Sequence, residues 1–176
     1  MAVLTIAKMG HPILARIARK IEDPGDPRWA ALVADMTQTM AAAGGVGLAA
    51  TQVEVDAQLV IFSVPASRSD EGSVPLSVLI NPEITPLSDE VAEAYEACLS
   101  VPGLTGIVPR WAHILYRGLD LDGKVIEREA RGFHARVVQH ECDHLWGRLY
   151  ISRMTDVSSL AYRDELARLV TAKEEL

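Results

Sequence analysis

Two cysteines, Cys98 and Cys142, are all that a chain of 176 residues carries. They make a poor disulfide framework for a domain of this size, and Cys142 lies between two histidines, so a reducing cytoplasm is the expected setting. Basic charge is also short. Seventeen Lys and Arg stand against 24 Asp and Glu, a net charge of -7. That balance provides no overall basic surface and removes nucleic acid as the default partner. No stretch approaches the roughly 18 apolar residues that a spanning helix needs, so no membrane segment is expected. The first twenty residues (MAVLTIAKMGHPILARIARK) lack the unbroken apolar core and small-residue cleavage site of a signal peptide. Internal repeats, low-complexity tracts and linkers are missing too. What remains is 49% hydrophobic and 23% charged, the composition of a soluble globular protein. One domain over 1–176 with a sizeable core is expected.

The pattern along the chain is mixed. Residues 12–21 read as a short helix, with Ile13, Leu14, Ile17 and Ile21 near one face. Asp26-Pro27 supplies an N-cap and a first-turn proline for a longer helix reaching about Ala43, lined by Leu32, Met36 and Met40 and ended by Gly44-Gly45. Residues 58–64 (QLVIFSV) and 76–80 (LSVLI) read as strands, with a polar surface loop over 66–74 between them. Residues 112–119 and 125–131 flank the turn Asp120-Leu121-Asp122-Gly123-Lys124 as a hairpin. Gly132 opens a further helix that Gly147 caps, and a last helix is expected from about Ser158 to the end. Helices at the ends and strands in the middle make this an α+β domain.

The helix opened by Gly132 contains His140-Glu141-Cys142-Asp143-His144. Residues four apart share a helix face, so both imidazoles can reach one metal ion, and Glu141 sits where a carboxylate can take a proton from an activated water. Catalytic sites of this kind normally take a third protein ligand. Three positions compete for it. Tyr150 stands where an endopeptidase pattern would have another histidine. Asp164 and Glu165 lie about twenty residues downstream, on what reads as a solvated face. Cys98 precedes Val101-Pro102-Gly103 at the exit of a strand, where a thiolate can project into a cleft. Cys142 is about 200° around the helix from His140 and faces away, as a core thiol. His11, His113 and His134 carry no ligand spacing and read as structural or surface residues.

Three segments, 45–52 (GVGLAATQ), 96–100 (EACLS) and 139–145 (QHECDHL), resemble in order and spacing the motifs of peptide deformylases. The similarity runs from about residue 4 to 155, through Ile80-Asn81-Pro82-Glu83 and Val108-Pro109-Arg110. The resemblance implies antiparallel sheets wrapped around a central helix that carries the histidines. It implies hydrolysis of the N-formyl group from the initiator formyl-methionine of nascent polypeptides, with release of formate. Cys98, His140 and His144 would hold one divalent ion, Fe²⁺ in the native state, with Zn²⁺ or Ni²⁺ able to substitute. Glu141 would move the proton. The Gln52 side chain and the Leu99 N–H would stabilise the oxyanion. Gly45, Val46, Gly47, Glu96, Phe133 and Val137 would contact the formyl-methionyl peptide.

Two departures stand out. Ala97 occupies a position that is usually glycine, which matters if the backbone there needs a positive φ. Thr105 stands where many relatives have an arginine near the substrate. These open a second reading, a deformylase-like paralogue with altered preference or little turnover. A zinc endopeptidase is the third. From Asp156 onward the chain has Asp156, Asp164, Glu165, Glu174 and Glu175 against Arg163, Arg168 and Lys173; it is net acidic, so ribosome contact through the last helix is expected to be weak.

Overall fold

The computed structural model describes residues 2–69 and 72–174. Asp26 accepts a hydrogen bond from the Arg28 N–H and Pro27 follows it, opening helix α1 (Pro27–Ala42). Gly44, at φ +66°, ends that helix in a conformation that costs glycine little. In chain order the strands are β1 (Gly47–Ala49), β2 (Leu59–Val64), β3 (Val74–Pro86), β4 (Val91–Cys98), β5 (Val101–Trp111), β6 (His113–Leu119) and β7 (Val125–Arg131). Helix α2 (Gly132–Leu145), the short strand β8 (Ala161–Tyr162) and helix α3 (Arg163–Glu174) complete the order.

The strands form two sheets, β1-β2-β3-β6-β7 and β4-β5-β8, and every pairing in them is antiparallel. Strand side chains alternate between faces, and β2 shows what that does. Val60, Phe62 and Val64 pack with Ala135, Val138, Cys142 and Leu145 of α2. Leu59 and Ile61 pack with Trp29, Val33, Met36 and Met40 of α1. β2 is therefore covered on both faces, which is why its sequence is apolar throughout. The second sheet contributes its own core, with Cys98, Val101 and Val108 packed against Tyr150. Helix α2 lies between the two sheets, as an α+β fold wrapped around the histidine helix requires.

Tertiary contacts changed several local expectations. The stretch 12–21 is helical only over Pro12–Ala15, as one 3-10 turn. Beyond it the Ala18 N–H donates to the Leu145 carbonyl at 2.8 Å and Ile17 bridges to Trp146, so the chain runs extended and Ile17 is exposed. The strand expected over 76–80 is longer, passing a bulge at Asn81 and Pro82. The Asn81 side chain pays for its left-handed backbone with two hydrogen bonds to Ile21, at 2.9 and 2.8 Å. The loop over 66–74 opens with a 3-10 turn, Ala66–Arg68, and its residues 70 and 71 lie outside the described residues. The final helix begins at Arg163, because 161–162 join β5 as β8 instead. Glu175, one of the acidic residues counted for that helix, lies outside the described residues.

Candidate active site

Cys98 ends β4, at the hairpin that turns into β5, while His140 and His144 sit one turn apart on α2. Packing α2 between the sheets brings the three together. Their donor atoms all lie within 4.8 Å of one another, and Cys98 Sγ is 3.4 Å from His144 Nε2. Tetrahedral zinc-like coordination separates sulfur and nitrogen donors by about 3.3–3.7 Å, so the triangle is close to the size an ion needs. A thiolate and two imidazoles suit zinc or iron. A buried, unpartnered polar atom also favours a resident group: Glu141 Oε2 has no hydrogen-bond partner among the described residues. Burial holds the His144 imidazole well below its usual pKa, in the neutral form a ligand must take. The residues present therefore fit a divalent ion.

The other third-ligand positions are placed differently. Tyr150 is buried with its ring stacked on that of His140, centroids 6.3 Å apart. Asp164 and Glu165 are exposed in the first turn of α3, and Glu165 pairs with Arg168. Cys142 faces the core between α2 and the larger sheet, where burial pushes its thiol pKa up. His134 is buried against Phe62 and Tyr116, and His113 pairs with Glu129 away from the centre.

A cleft opens onto the metal triangle. Of the residues expected at the site, it is lined by Gly45, Val46, Gly47, Gln52, Glu96, Cys98, Leu99, Phe133, Val137, His140 and Glu141; His144 lies beneath. Gln52 is oriented by its own loop. The Ala49 N–H donates to Gln52 Oε1 at 2.9 Å, which turns Nε2 toward Ser100 Oγ at 3.1 Å and Cys98 Sγ at 3.5 Å. Glu141 is buried beside Gly47, and a Cβ at position 47 would collide with its carboxylate. The glycine makes room for that acid. Burial pushes the Glu141 carboxyl up to about 7, where it exchanges protons near neutrality.

Glu96 differs from expectation. It lines the cleft, but both carboxylate oxygens are already engaged. Oε1 accepts from Arg110 at 2.9 Å and Arg136 at 2.8 Å, and Oε2 accepts from Arg110 at 3.0 Å and from His140 Nδ1 at 2.8 Å. Burial raises its pKa, but the bonds to His140 and Arg110 outweigh that and hold the carboxyl well below its usual range. These bonds fix the orientation of the His140 ring and leave neither Glu96 oxygen without a protein partner. Arg110 continues to Asp143, which Arg153 also holds. Sequence reasoning quoted Arg110 and Asp143 inside motifs without giving them a role, and missed Arg136 and Arg153. The available signal was an arginine in an otherwise apolar strand, since Arg110 follows Ile107, Val108 and Pro109.

The two departures take a definite form. Ala97 is exposed and is not among the residues with positive φ, so its methyl group creates no backbone strain. Thr105 is buried and its hydroxyl donates to the Glu96 carbonyl at 2.8 Å, serving the hairpin.

The pattern of the Polypeptide deformylase family matches residues 3–159. Peptide deformylase 1 of Bordetella pertussis is 55% identical over 163 residues, covering 92% of this chain and 93% of its own. The crystal structure of peptide deformylase from Ehrlichia chaffeensis has a TM-score of 0.83 at 32% identity, covering 99% of this chain and 98% of its own. A class I type b peptide deformylase from Acinetobacter baumannii, solved with Met-Ala-Ser bound, has a TM-score of 0.80 at 35% identity, covering 87% and 100%.

Proposed function

The chain belongs to the polypeptide deformylase family, and we propose that Cys98, His140 and His144 hold the divalent ion its reaction uses. That reaction removes the N-formyl group from nascent polypeptides. Water adds to the formyl carbon, the C–N bond breaks, and formate leaves with the freed amine of methionine. The convergence of the three donors beside the unpartnered Glu141 oxygen is the observation that carries the reading.

A bound divalent ion supplies Lewis acidity, drawing the pKa of water toward neutrality. Glu141 takes the proton through Oε2 and returns it to the departing nitrogen. On the family resemblance, we assign Gln52 Nε2 and the Leu99 N–H as donors to the oxygen that gains charge as the formyl carbon becomes tetrahedral. Glu96 keeps His140 Nδ1 protonated and turned away, so Nε2 serves as the ligand atom. Gly45, Val46 and Gly47 receive the peptide backbone as an added strand, and Phe133 and Val137 wall the methionine side chain. The Met-Ala-Ser held by the Acinetobacter relative supports a peptide in this cleft.

Fe²⁺ is the ion we assign, on the family resemblance, with zinc and nickel compatible with the same donors. The chain acts as one domain. We place it in the cytoplasm; among the described residues no helix is long and apolar enough to cross a membrane. Its acidic α3 start, Asp164 and Glu165, supports only weak contact with ribosomal phosphates.

Metal content and formate release from formyl-Met-Ala-Ser test the reading together. Cys98→Ala is expected to lose metal. Glu141→Ala is expected to keep it and lose roughly 10²–10⁴-fold in turnover. Full metal without Cys98, or full turnover without Glu141, sinks the assignment.

A further inference from the structure

The whole chain is acidic at -7, yet the exposed charges along the cleft are cationic. Three arginines line it, Arg68, Arg136 and Arg163, against the buried acids Glu96 and Glu141. Arg136 is buried and largely committed within the protein. Its guanidinium is spent on Glu96, on the Val108 carbonyl at 2.8 Å and on the Ala92 carbonyl at 2.6 Å. Arg68 and Arg163 are exposed, and neither pairs with a carboxylate among the described residues.

Each is held by the fold in its own way. The Arg68 guanidinium lies 3.7 Å from the centroid of the Phe133 ring, the aromatic that walls the cleft. Stacking occupies its face and leaves its N–H edges available. Arg163 directly follows β8, whose Ala161 and Tyr162 pair with Thr105 and Leu104 of β5. The Ile107 N–H, further along β5, donates to Ser159 Oγ at 3.1 Å, so the segment is also tied to β5 ahead of that pairing. Asp164 and Glu165 follow Arg163 but do not line the cleft, and Glu165 is taken by Arg168 at 2.7 Å. The cation at the rim is therefore not neutralised by its own helix.

We propose that Arg163, assisted by Arg68, makes this cleft favour formyl-methionyl peptides with a carboxylate in the residues just after methionine. The proposal rests on the deformylase reading and deepens it by assigning substrate class. Two cations lining one cleft, one stacked on Phe133 and one beside β5, attract an acid that follows the methionine, while neutral peptides gain nothing from them. Exposed pairs of this kind are worth about two- to fivefold in binding at low salt and fade as salt shortens the screening length.

The test compares kcat/KM for formyl-Met-Ala-Glu-amide and formyl-Met-Ala-Gln-amide, using the Fe²⁺ enzyme. The wild type is expected to prefer the Glu peptide about two- to fivefold in 20 mM salt and to lose the preference in 1 M salt. Arg163→Gln is expected to bring the ratio close to one, and Arg68→Gln to lower it partway. Arg128→Gln removes the same charge from exposed β7, outside the cleft, and is expected to keep the ratio. A free-acid formyl-Met-Ala-Gln separates a terminal carboxylate from a side-chain one: a gain over its amide that Arg163→Gln abolishes extends the site to chain termini. Equal kcat/KM for the Glu and Gln peptides, or a ratio that Arg163→Gln leaves intact, overturns the proposal. No formate from any peptide would instead overturn the deformylase reading.

Discussion

The floor and the rim of the cleft are built to different standards. At the floor, His140 is tied to Glu96, Glu96 to Arg110 and Arg136, Arg110 to Asp143, and Asp143 to Arg153. Nearly every one of these charges is buried, and each has at least one opposite partner. At the rim, Arg68 and Arg163 are exposed, and their positions come from stacking and a two-residue strand. The contrast teaches where each job is placed. Groups that must hold atoms to a fraction of an ångström are over-determined by charge. Groups that only bias which peptide arrives stay at the surface, where a cation costs little and contributes little.

Breaking the floor should be far more costly than breaking the rim. Arg110→Met has the largest expected effect, because it leaves Glu96 and Asp143 buried with fewer counter-charges. Loss of one partner from a buried pair costs about 3–5 kcal/mol, which lowers Tm by roughly 10 °C in a chain of this size. A calorimetric shift of only a degree or two would show that the network does not bear on stability. Gly47→Ala probes the boundary between floor and rim. Its methyl group must displace the Glu141 carboxylate. Formate release should fall about 100-fold while metal content stays at the wild-type level, since small misplacements of a reacting group cost that much. Retained activity would mean that Glu141 does not need the position seen here. The smallest effect belongs to Arg163→Gln, whose stability should stay within about 0.5 kcal/mol of the wild type, a melting-temperature shift of roughly one to two degrees. A larger loss would make the rim structural and erase the contrast.

Ala97 and Thr105 illustrate how a departure from a family pattern has to be read in three dimensions. By sequence both touch the cleft and hint at a weakened enzyme. In the structure the Ala97 backbone needs no glycine, and Thr105 is occupied in holding the hairpin that presents Cys98. Neither removes a group that the reaction uses. A cation does reach this end of the cleft, but it comes from Arg163, nearly sixty residues later in the chain.

Much of the site was legible without coordinates because its central element is local. A helix puts His140 and His144 on one face whatever surrounds them, and Asp26-Pro27, Gly44 and the Asp120–Lys124 turn mark ends of elements by backbone preferences of their own. The single 3-10 turn at Pro12–Ala15, the strand β8 and the late start of α3 were not legible. In each of them, pairing with a distant segment outweighed a weak local preference. The same physics divides the function. The sequence by itself determined the two imidazoles, the acid between them and the thiol available to join them. Only the tertiary structure decided that Cys98 meets His144, that Glu96 bonds His140, and that Arg163 lines the same cleft. Those contacts span 44 residues from Glu96 to His140, 46 from Cys98 to His144 and, for the pairing that places Arg163 at the rim, 58 from Leu104 to Tyr162, separations at which packing decides and helical or strand periodicity carries no information.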